Sequence, residues 1–95
     1  MSAFGLPPVY TFRVKAVRLT RHARNRIRWR DIPLELVEQT ARGPEWEEAS
    51  LGSRINRWKR VEGRFLRVTV REEGERIIVI TAALKRTPPP EGRTS

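Results

Sequence analysis

A chain of 95 residues allows one small domain with a thin core, and the lack of cysteine excludes disulfides, thiolate catalysis and cysteine metal sites. Lys and Arg number 20 against 11 Asp and Glu, giving a net charge of +9 and a pI near 11.5, so the expected partner is acidic: nucleic acid or an acidic protein. A single histidine without ligand-spaced carboxylates argues against a metal or cofactor site, and the absence of a roughly 20-residue apolar run or a signal-peptide pattern leads us to expect a cytoplasmic protein with no membrane partner.

Proline-rich stretches at both ends mark tails over residues 1–9 and 87–95, leaving one domain over residues 10–86. Residues 10–18 alternate, with Tyr10, Phe12, Val14 and Ala16 on one face, as in a half-buried strand. Thr20 is a suitable N-cap for a helix running to about Arg30. Helical spacing divides "LTRHARNRIRWRDIP" into a packing stripe, Ala23 and Ile27, and a polar stripe, His22, Arg26 and Arg30, with Trp29 between them. "DIPLELVEQTARG" predicts a second helix with Leu34, Val37 and Ala41 inward and a stop at Gly43.

Four strands should follow: an acidic one in "PEWEEAS", then "RINRWKRV", "RFLRVTVRE" and "RIIVITAAL". The last is apolar on both faces and should be well covered. The order β-α-α-β-β-β-β predicts an α+β domain, with two N-terminal helices packed on one face of a mainly antiparallel sheet of four or five strands. If the helices cover Leu66, Val68 and Val70, then Arg67, Thr69 and Arg71 face the other way. Either Arg57 and Lys59, or Arg54, Asn56, Trp58 and Arg60, share that open side; alternation does not choose.

Three patterns now stand in order: T-x-H-A-x-x-R-x-x-x-R-x-I at Thr20, His22, Ala23, Arg26, Arg30 and Ile32; G-R-x-L-R-V from Gly63 to Val68; and I-x-V-I-T ending at Thr81. In these the chain resembles a family of small bacterial domains of unknown function grouped with the RelE-like toxins, including the BrnT and ParE types. The likeness covers about residues 17–85. One departure is Pro33, where a Ser or similar cap usually follows the Ile; it bears on helix capping, not on chemistry. The resemblance implies a RelE-like fold and a metal-independent endoribonuclease in a toxin–antitoxin system, whose active face an antitoxin-like protein covers. The RNA would include ribosome-associated mRNA.

Such cleavage needs a base for the 2′-OH, cations or N–H donors for the phosphorane, and an acid for the leaving oxygen. His22, Arg26, Arg67 and Thr81 are the catalytic candidates, and Arg30, Arg57, Trp58, Lys59, Arg64 and Arg71 are candidates for holding RNA. Each has a structural alternative. His22 can fix a helix start, Arg30 can pair with an acid, Trp58 can close a sheet edge, and Thr81 can bond a neighbouring carbonyl. No acid partner for His22 is evident. Two further functions stay open: a non-catalytic nucleic-acid binder using the same basic face, and an interaction module for an acidic protein. A small core also leaves room for a homodimer.

Overall fold

The computed structural model describes residues 15–87. Apart from Thr87, the expected tails and the strand opening at residues 10–14 lie outside them. The described chain runs β1 (Ala16–Leu19), α1 (Arg21–Trp29), α2 (Leu34–Arg42), β2 (Trp46–Ala49), β3 (Arg54–Val61), β4 (Arg64–Glu73) and β5 (Arg76–Lys85). The strands form one sheet in the order β1-β5-β4-β3-β2. The sheet is mixed: β1 lies parallel to β5, and the other three pairings are antiparallel. No helix among the described residues is long and apolar enough to cross a membrane.

Both helices bury their apolar stripes on one face of the sheet. Ala23 and Ile27 of α1, Ile32, and Val37 and Ala41 of α2 meet Leu66, Val68 and Val70 of β4 and Ile77, Val79 and Ala82 of β5. Two details differ from the sequence pattern. In β1 the inward residues are Val17 and Leu19, because the parallel register sets them beside the core residues Ile77 and Val79; Ala16 is exposed. In α2 Leu34 is 46% exposed, while Thr40 is fully buried. The Thr40 hydroxyl donates to Leu36 O at 2.7 Å, so its burial leaves no polar group unpaired.

Both ends of α1 are closed by local bonds. Ala23 N–H donates to Thr20 Oγ1 at 3.0 Å, confirming the N-cap. At the other end Asp31 takes a left-handed φ of 55°, Asp31 N–H donates to Arg28 O, and Ile32 N–H donates to Ile27 O. This is a Schellman closure with its apolar contact, since Ile27 and Ile32 are both buried. The spacing that links Arg30 to Ile32 in the sequence is thus the signature of a helix stop.

The sheet carries one irregularity. Thr69 pairs with Thr81, but Val70 pairs with Val79, so Ile80 is an extra residue in β5. Core residues are odd-numbered before it (Ile77, Val79) and even-numbered after it (Ala82, Leu84). The bulge therefore turns Thr81, Ala83 and Lys85 to the face away from the helices.

A left-handed backbone is cheap for glycine and costs a side-chain-bearing residue about 1–2 kcal/mol, against which glycine gains unfolded-state entropy. Asp31→Gly should therefore stabilise the protein by about 0.5–1 kcal/mol net, seen as a rise of a few degrees in the thermal midpoint. An unchanged or lower midpoint would show that the Asp31 side chain contributes more than its backbone strain costs.

Candidate functional site

Beyond Val79, no described strand pairs with β5 on its β1 side. The α1 helix crosses this edge. Thr20 N–H donates to Val79 O at 3.1 Å, Thr20 Oγ1 lies 3.5 Å from Ile80 O, and Arg30 Nη1 donates to Ala82 O at 2.8 Å. The helix is thus clipped to the β5 edge at both ends, to Val79 and Ile80 at its start and to Ala82 at its finish. Its polar stripe then overhangs the far face of the sheet.

A groove forms where the stripe meets that face. Thr20, His22, Arg26 and Arg30 line it from α1 and its cap. Arg67 comes from β4, Arg54 from β3, and Ile80, Thr81, Ala83 and Lys85 from β5. Its volume is about 590 Å³, within the roughly 300–1,000 Å³ usual for small-molecule sites. All four residues read from the sequence as catalytic, His22, Arg26, Arg67 and Thr81, meet here, with Arg30. The bulge brings Ile80 and Thr81 into the lining together.

The lining holds five permanent cations, Arg26, Arg30, Arg54, Arg67 and Lys85, and no carboxylate. None of the five is in an ion pair among the described residues. Arg67 Nε is buried and has no hydrogen-bond partner among the described residues. Like charges gathered without counter-charges are destabilising, and an anionic ligand with several acceptor oxygens would relieve them. Among the described residues no three His, Cys, Asp or Glu side chains come together as metal ligands.

A domain family described as a domain of unknown function, DUF4258, matches residues 19–83, more than half of the chain. The chain belongs to that family. No curated protein and no solved structure matches it. The matched span opens just before the Thr20 cap and closes at Ala83, so it contains the α1 stripe, Arg54, Arg67 and the bulge.

The DUF4258 domain places the other candidate residues elsewhere. Pairing puts Arg54, Asn56, Trp58 and Arg60 on the open face with Thr69, Arg67 and Phe65, and turns Arg57 and Lys59 to the helix side beside Val68 and Leu66. Arg57 is 7% exposed. It donates from Nη1 to Ala41 O at 2.6 Å and from Nη2 to Glu72 Oε2 at 2.7 Å. Its Nε lies 2.9 Å from Glu47 Oε2, within ion-pair reach but off the line of a hydrogen bond. Arg57 is therefore a tie between the C-terminal end of α2 and two strands, with no surface for RNA. Trp58 is 5% exposed, and its Nε1 donates to Glu48 Oε2 at 3.3 Å, so its ring has no free face for a base. Arg71 pairs with Glu73 at 2.8 Å. Arg64 stands past the end of the groove, in a hollow shared with Arg30 and Lys85.

Lys85 was missed in the sequence, and Arg54 appeared there only within one of the two alternatives for the open side of β3, not as a site residue. Lys85 shares the parity of Thr81 and Ala83, but only the bulge makes that parity the open face. His22 is exposed and has no hydrogen-bond partner among the described residues.

The hydrogen bond from Arg57, and then that from Lys15, hold the Glu72 carboxyl below its ordinary value of 4.5. A depressed carboxyl stabilises the fold fully above about pH 4.5, and that contribution is lost as pH falls through the lowered value. Arg57→Met should cost roughly 1–3 kcal/mol, mainly by leaving Ala41 O without its donor. It should also flatten the acid side of the stability–pH curve, measured by urea unfolding between pH 3 and 7. An acid limb as steep as the wild type's would show that Lys15 alone sets the Glu72 shift.

Proposed function

We propose that this DUF4258 domain is a RelE- and BrnT-like toxin, a metal-independent endoribonuclease that takes RNA along the basic groove. One observation carries this reading. Residues from three distant parts of the chain, with the types needed for phosphodiester cleavage, line one acid-free groove. The α+β order, with two helices ahead of the last four strands, suits a RelE-like fold but does not by itself specify one.

Imidazole is the one side-chain type in the groove that readily exchanges protons near neutral pH. His22 takes the proton of the 2′-OH, and the 2′-oxygen bonds to phosphorus. The guanidinium forks of Arg26 and Arg67 meet the charge that develops on the phosphorane oxygens. The Thr81 hydroxyl donates a further hydrogen bond there. The P–O5′ bond then breaks, and the departing oxygen takes a proton from the imidazolium or from the Lys85 ammonium. Arg30 uses one N–H on Ala82 O and keeps the rest for the strand. The groove offers a divalent cation no carboxylate. The natural partners are cytoplasmic RNA, including ribosome-bound mRNA, and an acidic antitoxin-like protein that covers the groove.

A second reading, a binder without chemistry, is favoured by the unpartnered His22. A general base is usually oriented by a third group. Expression alone should arrest growth, and purified protein, with or without ribosomes, should cleave RNA in the presence of EDTA. His22→Ala and Arg67→Ala should each lower cleavage by roughly 10²–10⁴-fold. Intact RNA under all these conditions would sink the ribonuclease. The binder alone would then show affinity falling with salt at a log–log slope of roughly −0.7 per contacted phosphate, about −2 to −3.5 for three to five phosphates. It would be insensitive to His22→Ala.

A further inference from the structure

Trp29 ends α1 and is 80% exposed, while Trp58 is 5% exposed and Trp46 is half-buried. Contrary to the expectation from the sequence, it does not lie between the packing and polar stripes: it follows Arg26 by three positions and His22 by seven, so it shares their flank of the helix, on the side away from the core. That flank leads into the groove, and the next residue, Arg30, lines it. The indole is not itself part of the lining; helical spacing sets it on the same flank as His22 and Arg26, which are.

The surroundings identify what it meets. A tryptophan that anchors a protein partner sits at the centre of a patch from which water is excluded. Its neighbours on α1 are Asn25, Arg26 and Arg28, with Arg30 following, and none is apolar. A ligand for this spot must offer a flat π-face and negative charge together. A nucleotide does both, with its base on the indole and its phosphate on the arginines.

We propose that Trp29 is a stacking platform for a base of single-stranded RNA, next to the phosphate held in the groove. This rests on the RNA reading of the groove and adds a subsite to it. Stacking tolerates any base, so this contact supports affinity and strand placement more than sequence choice.

The test is fluorescence anisotropy with a labelled 2′-O-methyl RNA decamer, which cannot be cleaved, beside an abasic decamer of the same charge. Trp29→Ala should weaken binding of the first by roughly 5- to 100-fold, the range for loss of one stacked base. Trp29→Phe should restore most of it, and Trp29→Leu, which keeps apolar area without a π-face, should not. The abasic decamer should bind all variants equally, and the salt slope should not change. Because Trp29 is exposed, thermal midpoints should match the wild type. Equal binding of the decamer by wild type and Trp29→Ala overturns the proposal while the groove reading stands, and assigns the indole to a protein contact. An equal loss on the abasic decamer also overturns it. If the wild type binds neither decamer, both readings fall.

Discussion

The central constraint in this domain is the edge of β5. Its parallel neighbour β1 reaches only to Val79, and the carbonyls beyond need cover. An open strand edge invites pairing with other chains, and folded proteins block it. Here a helix blocks it. Thr20 and Arg30 bond to β5 carbonyls, and Ala23 and Ile27 fill the core between them. The position of α1, and therefore of every side chain on its polar stripe, follows from that requirement.

The groove results from this placement together with the bulge at Ile80. Had β5 run without the extra residue, Thr81, Ala83 and Lys85 would face the helices and Ala82 would face out. One inserted residue inverts the second half of the strand. It keeps Val79 and Ala82 in the core and turns a hydroxyl and an ammonium toward Arg67.

The electrostatics run against stability. The α1 helix has only nine residues, no acid in its first turn, and like charges four apart at Arg24/Arg28; each such pair costs about 0.2–0.5 kcal/mol. A helix this short holds through packing and caps rather than propensity. The two cap motifs and the buried Ala23, Ile27 and Ile32 compensate. Arg24 and Arg28 lie on the flank of α1 away from the groove, while Arg26 and Arg30 line it, so the helix carries cations on both sides of its packing stripe.

Much was legible in the chain. Thr20 capped its helix because only a side-chain oxygen there can accept the orphan N–H of Ala23. Ala23 and Ile27 faced the core because helical spacing admits few alternatives. The stripe of His22, Arg26 and Arg30 was visible for the same reason, and alternation in β4 placed Arg67 opposite Val68. Other parts were not legible. The side of β3 that faces out depends on its register with β4, so Arg57 and Trp58 could each be read as RNA-facing, and both are buried in structural bonds. The sequence by itself determined the elements, their caps and the helix flank that would be cationic, because these rest on contacts within a few residues. Only the tertiary structure decided that α1 overhangs the β5 edge, that the bulge turns Thr81 and Lys85 outward, and that Trp29 rather than Trp58 stays exposed, because pairing partners and strand lengths are set by residues far apart in the chain.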